Sequence, residues 1–287
     1  MKLTVIYVNP VEYHGPHLPL TTDYEISRGL TGALLARLKI KNPAIEITRS
    51  IEIHEGCEPA PGPGSVSTSL KDLKQKIKTQ CKTLLITEQP DLVLFMTFHG
   101  APKHAAAIQS GVEFFETQGI RVLNPFNFTI TRLRDYEPVL AEPVAQFIPD
   151  ASFALHFIEH LPEDFHGGLF ETSVLMKLNP DSVKANHRDL PDCEDRVLSP
   201  FWKLAIAFFH GIGFRTFAKE LRIGADALGW MTSPKYAGYT GAPRFASPEI
   251  GNHFVEMILK DYENGFWQVA EAKALSPKPI LQWAIYF

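Results

Sequence analysis

The sequence predicts an α/β fold in which an open, mostly parallel sheet carries helices on both faces. Short apolar segments rich in β-branched residues alternate with segments whose apolar residues recur at helical spacing, as in repeated strand–helix–strand units. Residues 91–98 form an unbroken apolar run, which is typical of a central parallel strand buried on both faces. Candidate ligands directly follow two of these strands, at the edge where open α/β sheets bind ligands.

The elements of the first half follow one another in a regular order. Strands are predicted over residues 3–8, 44–48, 91–98 and 121–123, and helices over residues 24–38, 69–87 and 103–118. The first strand ends at Asn9 and Pro10, and turn formers are dense between residues 55 and 65. Lysines interleaved with apolar residues indicate that the second helix has one face in solvent.

The second half has fewer clear elements. Residues 170–178 are predicted to be helical. Ser247 followed by Pro248 is a favourable helix start, with a cap and then proline at the first position. This last helix is predicted to end at about residue 262 or to continue toward residue 274.

Two strongly apolar segments need cover. Residues 198–210 are predicted to lie in the core or in a subunit interface. Residues 280–287 are too apolar to stay solvated and are predicted to pack on this subunit or on a neighbour. We treat residues 1–287 as a single domain in which residues 270–287 form a C-terminal tail.

The segment from Glu12 to Asp23 carries the candidate chemistry. Glu12 and His14 are two residues apart, so their side chains share one side of an extended segment. Pro16 and Pro19 stiffen the loop, and Asp23 lies at a possible helix start. Two carboxylates and an imidazole therefore converge on a rigid turn, and divalent metals bind to such mixed oxygen and nitrogen ligands.

Each of these residues also has an ordinary structural explanation when it is taken alone. Asp23 stands where a helix cap belongs, Glu12 would be solvated, and His14 or His17 would be a structural histidine. For the set as a whole, with two prolines fixing the geometry, we favour a metal site.

Composition argues against several other classes of protein. The 287 residues, 45% of them hydrophobic, are enough for a large core. A net charge of −4 argues against nucleic-acid binding, which needs a basic face, and no apolar run is long enough to span a membrane. Cys57, Cys81 and Cys193 lack metal-type spacing, and the chain enters its first strand without a signal peptide, so we expect a cytoplasmic protein.

The chain resembles the creatininase (creatinine amidohydrolase) family. Residues 12–23 match its N-terminal signature, a strand followed by Glu-x-His-Gly-x-His-Leu-Pro-x-x-Thr-Asp. The turn at His99-Gly100, the motif His-x-Gly-x-x-Glu-Thr-Ser over residues 166–173 and the motif Gly-x-x-Gly-x-Pro over residues 238–243 follow in family order. The resemblance covers nearly the whole chain. It implies a three-layer α/β/α fold with a mostly parallel central sheet, a two-metal amidohydrolase site and often a hexamer.

The resemblance also implies which residues hold two divalent ions. One ion would be held by Glu12, Asp23 and His99, and the other by His14, Asp23 and Glu171, with Asp23 bridging. Because the ligands are oxygen and nitrogen without cysteine, the expected ions are zinc, manganese or iron. Two ions bring four positive charges against three carboxylates, and the remaining charge suits a bridging hydroxide as nucleophile.

The expected substrate is a small-molecule amide or cyclic amide. His166 and Glu171 are expected to be catalytic, and His166 would take a proton from water and give it to the leaving nitrogen. Residues 63–67 resemble a family loop that lines the substrate pocket, with an ordinary surface turn as the alternative. The residues expected to contact substrate are Gly64, Ser65, Gly100, Gly167 and Gly168.

The sequence departs from the family pattern at two positions. Ala101 stands where creatininases proper have a glutamate, so Glu171 must supply that carboxylate. Pro162 stands where they have the tryptophan that stacks on the creatinine ring. This second departure argues against creatinine itself, though not against hydrolysis of an amide-like C–N bond.

Two further hypotheses compete with this one. His156, Glu159 and His160 match the inverted zinc-peptidase pattern His-x-x-Glu-His, although Pro162 follows at once and no third ligand stands out. Alternatively, the chain is a non-catalytic family member that serves in binding or assembly. The altered turn at Ala101 supports that hypothesis, whereas the presence of every candidate ligand argues against it.

Overall fold

The sheet contains the four strands that the sequence predicts. The computed structural model describes residues 1–193 and 198–286. Its strands are β1 (Lys2–Val8), β2 (Glu46–Ile53), β3 (Leu92–Met96) and β4 (Arg121–Leu123). All neighbours are parallel, in the order β2-β1-β3-β4, so the open parallel sheet is confirmed. β2 runs beyond residue 48 because Ile51 and Ile53 pair with the last half of β1.

Helices occupy most of the remaining described chain. They are α1 (Thr22–Lys41), α2 (Leu70–Thr87), α3 (Pro102–Thr117), α4 (Phe126–Arg134), α5 (Ala151–His160), α6 (Leu169–Leu178), α7 (Pro200–Gly211), α8 (Arg215–Met231) and α9 (Pro248–Ala270). The sequence reasoning predicted no element at α4, α5 or α8. α8 did carry a signal, because Ala218, Leu221 and Ala225 are buried at helical spacing. None of the described helices meets the length and apolarity that a membrane crossing requires.

The two faces of the sheet bury two separate apolar cores. Successive side chains of a strand point to opposite faces, so Leu3, Val5 and Tyr7 enter one core while Ile6 and Val8 enter the other. α1, α6 and α9 cover the first core, and α2 and α3 cover the second. This arrangement confirms the expected three-layer α/β/α fold.

A buried asparagine locks the ends of the two central strands together. Asn9 directly follows β1, and its Nδ2 donates to the carbonyl of Met96 at 3.3 Å. Its Oδ1 accepts from the Phe98 backbone amide at 3.0 Å and from Ser27 Oγ on α1 at 3.1 Å. The loop after β1, the turn after β3 and the start of α1 are therefore held side by side.

α7 lies outside the core. None of its residues is buried, and Phe201, Leu204 and Phe208 are 69%, 73% and 57% exposed. The helix packs on α8 along one side only, so its other apolar side has no cover within the described chain. The core alternative for residues 198–210 is therefore wrong, and the subunit interface remains a prediction.

The C-terminal tail packs on its own subunit. Ile280 and Leu281 are buried, and Trp283 Nε1 donates to Glu220 Oε2 on α8 at 3.1 Å. The Trp283 ring also meets the Phe217 ring edge-on, with 5.4 Å between centroids. The own-subunit alternative is thus confirmed for the described part of the tail, and Phe287 lies outside the described residues.

Candidate metal centre

Five acidic and histidine side chains converge at the carboxyl edge of the sheet. Glu12 and His14 lie in the loop after β1, and His99 lies in the turn after β3. Asp23 and Glu171 lie in the first turns of α1 and α6. All five side chains are buried. The structure thus brings together every residue that the sequence analysis assigned as a ligand.

Asp23 stands between the two histidines of this cluster. Its Oδ1 lies 3.3 Å from His14 Nε2, and its Oδ2 lies 3.7 Å from His99 Nδ1. On the far side, His99 Nδ1 is 2.8 Å from Glu12 Oε2, and His14 Nε2 is 3.7 Å from Glu171 Oε2. Each oxygen of Asp23 therefore faces a different half of the cluster.

Potential ligand atoms fall into overlapping groups whose members lie within 4.8 Å of one another. Among the described residues these groups are Glu12, Asp23 and His99; His14, Asp23 and Glu171; and Glu12, His14 and His166. The first two groups have the same members as the two ligand sets implied by the family resemblance. That these residues hold metal remains a prediction.

Backbone carbonyls fix the tautomers of the two central histidines. His14 Nδ1 donates to the Glu12 carbonyl, and His99 Nε2 donates to the Cys57 carbonyl, both at 3.0 Å. A carbonyl oxygen only accepts, so these nitrogens carry the protons. The opposite nitrogens, His14 Nε2 and His99 Nδ1, therefore face the carboxylates of the cluster. An N–H bonded to a backbone carbonyl on the other side of the ring is the arrangement found in metal-ligating imidazoles.

The cluster is short of positive charge. Glu12 Oε2, His14 Nε2 and Asp23 Oδ2 are buried without a hydrogen-bond partner of proper geometry. Three buried carboxylates need cations or protons, because an unpaired buried charge is costly. Unpartnered oxygen and nitrogen atoms facing a common centre suit divalent ions, so the residues present fit a metal site.

In the metal-free protein, protons supply the missing charge. Burial alone would lower the pKa of His14, but the carboxylates of Glu171 and Asp23 raise it to about 10. Burial likewise opposes charge on His99, and Glu12 raises the pKa of His99 to about 9. Burial raises the pKa of Glu171 to about 8. A metal ion that bound at this cluster would therefore displace protons.

His166 sits at the rim of the cluster. Its Nε2 donates to the Tyr13 carbonyl at 2.8 Å, so its free Nδ1 lies on the other side of the ring, 3.8 Å from Glu12 Oε1. Its ring stacks on His14 with centroids 4.2 Å apart. Burial, followed by the charge of His14, lowers the pKa of His166 to about 3. The imidazole is therefore neutral near pH 7, with the proton on Nε2 and an unprotonated Nδ1.

The five residues expected to contact substrate lie in three turns around the cluster. Ser65 Oγ accepts from the Tyr13 amide at 2.9 Å, which ties the turn containing Gly64 and Ser65 to the loop after β1. Gly100 is exposed, whereas Gly167 and Gly168 are buried. The structure accounts for these two glycines by packing, and substrate contact at all five positions remains a prediction.

An aspartate missed by the sequence analysis fixes the start of α6. The Asp164 carboxylate accepts from the amides of Leu169 and Phe170 at 3.0 and 3.3 Å. A Cβ at Gly168 or Gly241 would lie 2.0 or 2.2 Å from that carboxylate, so glycine is required at both positions. This cap holds the first turn from which Glu171 projects. The available signal was an acidic residue just before a predicted helix.

The rival peptidase motif does not assemble a comparable centre. His156 and His160 stack on α5 with centroids 4.5 Å apart, and His160 Nδ1 is 3.1 Å from Glu163 Oε1. Glu159 is exposed on the helix. Within residues 1–193 and 198–286, no candidate metal group includes either histidine.

Comparison with known proteins agrees with the motifs. Residues 1–264 match the family model Creatininase, described as creatinine amidohydrolase. Among curated proteins no match was found.

Several solved structures share the fold. One described as "Creatininase Mn" has 14% identity over 93% of this chain and 90% of its own, with a TM-score of 0.56. A putative creatinine amidohydrolase from Bacteroides fragilis NCTC 9343 has 17% identity over 94% and 90%, with a TM-score of 0.57. A mutant creatininase of the Zn-Zn type has 18% identity over 94% and 88%, with a TM-score of 0.54. At these identities the likeness concerns the fold.

Proposed function

The chain belongs to the creatininase family, and we propose that it is a metal-dependent hydrolase that cleaves the C–N bond of a small-molecule amide or cyclic amide. The observation that carries the proposal is the buried cluster in which Asp23 faces His14 with one oxygen and His99 with the other. Structural ion pairs also bury charge, but here three buried oxygen and nitrogen atoms around one centre lack a hydrogen bond of proper geometry.

Two divalent ions would complete the cluster. Glu12, Asp23 and His99 would hold one ion, and His14, Asp23 and Glu171 would hold the other. Zinc, manganese and iron all suit these ligands, and the related structures include a manganese and a zinc form. When bound, the ions would polarise a carbonyl group and lower the pKa of water toward neutrality.

The residues of the chain would orient the reactants and move the proton. Glu171 is held in the first turn of α6, and it would serve there as a catalytic carboxylate. His166 would accept a proton at Nδ1 and deliver it to the leaving nitrogen. Its Nε2 stays bonded to the Tyr13 carbonyl, so the ring is oriented for transfer at one nitrogen only. The group of Glu12, His14 and His166 makes ligation by His166 the alternative.

The proposed substrate class is broader than creatinine alone. Pro162 lies in the short turn after α5, and it offers no aromatic face for a flat ring. Cyclic and linear amides therefore both stay within the proposal. We also propose a reducing cytoplasm as the location, in keeping with the buried free thiols of Cys57 and Cys81.

We further propose a homo-oligomer, with a hexamer as the form that the family resemblance implies. Five apolar side chains on α7 and after it are between 51% and 73% exposed: Phe201, Leu204, Phe208, Ile212 and Phe214. With roughly 200 Å² for a large side chain, they expose roughly 600 Å² together. That area is at the upper limit for the largest apolar patch of a monomer and would form the centre of a subunit interface.

Metal analysis and a substrate panel test the proposed function. We expect elemental analysis of the purified protein to find up to two transition-metal ions per chain. Metal-loaded protein should hydrolyse at least one member of a panel of creatinine, cyclic imides, lactams and short peptides. Absence of metal after soaking would refute the proposal, and full metal occupancy with no turnover would favour a non-catalytic binding or assembly protein.

A further inference from the structure

A row of aromatic rings leads from the candidate metal centre to the segment after α8. The His166 ring lies 4.8 Å from the Trp230 ring, and the Trp230 ring lies 4.9 Å from the Tyr236 ring, centroid to centroid. Trp230 is buried, and its Nε1 donates to the Tyr239 carbonyl at 3.0 Å. The indole is therefore fixed, and it lies between the ring of His166 and the ring of Tyr236.

The hydroxyl at the end of this row has no partner. Tyr236 Oη is buried, and among the described residues it makes no hydrogen bond. Other tyrosine hydroxyls of the structure are paired: Tyr239 donates to the Pro191 carbonyl at 2.8 Å, and Tyr262 pairs with Thr129 at 3.3 Å. A buried, unsatisfied hydroxyl costs free energy, so its retention calls for a ligand that completes it.

Tyr236 belongs to a segment that packs against the loop carrying Glu12 and His14, because a Cβ at Gly238 would lie 2.2 Å from the Tyr13 ring and 3.2 Å from the Gly15 amide nitrogen. Burial raises the pKa of Tyr236 above its ordinary value, and the negative charge of Glu12 raises it further. The phenol consequently keeps its proton and can donate it in a hydrogen bond. An oxygen atom held at the metal centre would be a suitable acceptor.

We propose that Tyr236 is a substrate-binding residue whose hydroxyl donates a hydrogen bond to the carbonyl oxygen of the amide held at the centre. The proposal rests on the proposed function and deepens it, because it assigns a substrate contact outside the turns that the sequence analysis singled out. Trp230 acts as a positioning residue, because its indole contacts both the Tyr236 ring and the His166 ring and holds them in place. A hydrogen bond from the Tyr236 hydroxyl would favour neutral substrates whose carbonyl oxygen can accept it.

The test compares Tyr236→Phe with Tyr262→Phe, two substitutions that each remove one buried hydroxyl. Acetohydroxamate, a small chelator with an amide-like carbonyl, serves as the probe, and calorimetry measures its binding to the zinc-loaded protein. We expect Tyr236→Phe to bind acetohydroxamate about 10-fold more weakly, the loss typical of one hydrogen bond. Its melting temperature should stay unchanged or rise, since an unsatisfied group is removed.

Tyr262→Phe should behave in the opposite way. It removes a hydroxyl that is paired with Thr129 inside the core, so the melting temperature should fall while acetohydroxamate affinity stays at the wild-type value. Equal affinity of Tyr236→Phe and the wild-type protein would overturn the inference and leave the proposed function standing. A wild-type protein that takes up neither zinc, manganese nor iron would instead refute the proposed function, and elemental analysis shows this before any variant is compared.

Discussion

Replacing Asp23 with alanine should remove both metal ions at once. The two oxygens of Asp23 face different histidines, at 3.3 Å from His14 Nε2 and 3.7 Å from His99 Nδ1. It is also the one residue shared by the two predicted ligand sets. Loss of any other ligand would directly affect only one of the two ions.

The magnitude follows from the charge that each ion loses. Two unit charges 4 Å apart attract by about 4 kcal/mol at an effective dielectric constant of about 20. A divalent ion in direct contact with a carboxylate should lose at least this much binding free energy when the carboxylate is removed. A free energy of 1.4 kcal/mol is a factor of ten in affinity. Asp23→Ala should therefore reduce the affinity for each ion by about three powers of ten or more.

The fold should survive this substitution. Burial raises the pKa of Asp23, so the metal-free protein gains no stability from its charge. The helix dipole at the first turn of α1 offsets only about 0.3–1 kcal/mol of this cost of burying the charge. Asp23→Asn keeps the shape of the side chain and serves as a second variant if Asp23→Ala is poorly folded.

The assay is elemental analysis after dialysis against zinc and gel filtration, with circular dichroism to verify folding. His156→Ala is the matched control, because it removes a histidine of the rival peptidase motif on α5 and should keep the full metal content. The reasoning is refuted if folded Asp23→Ala keeps two ions per chain. Loss of metal from His156→Ala would instead assign the metal site to the peptidase motif on α5.

Three further predictions address the mechanism, the assembly and the proton linkage. His166→Ala should lose about 10²–10⁴-fold in turnover with unchanged metal content; a lost ion would show that His166 is a ligand, and normal turnover would exclude it from the reaction. Leu204→Glu or Phe208→Glu should turn the assembled protein into monomers in light scattering, and an unchanged mass would exclude this face as the interface. In the metal-free protein, the pKa values of His14 and His99, about 10 and about 9, lie above the ordinary 6.5, so the stability they contribute is complete below pH 6.5 and is lost as the pH rises through 9 and 10. The melting temperature of EDTA-treated protein should therefore fall over that alkaline range, and a flat profile would contradict the linkage.

The sequence determined the sheet and the convergence of the candidate ligands because both depend on local pattern. An apolar run such as residues 91–98 identifies a central strand without knowledge of its neighbours. Glu12, His14 and His99 follow two such strands, and the carboxyl ends of parallel strands meet at one edge of the sheet. Their convergence was therefore predictable, and the family motifs added Glu171 from α6.

Other features were decided only by contacts between residues that are distant in sequence. No local pattern indicates that the Cys57 carbonyl fixes the His99 tautomer, or that the buried Tyr236 hydroxyl makes no hydrogen bond within the described residues. The apolar run at α7 predicted burial, yet its cover depends on what packs against each side of the helix, and within the described chain only one side is packed. Periodicity and spacing record which residues favour burial or share a face, whereas pairing and exposure are set by the chain that folds against them.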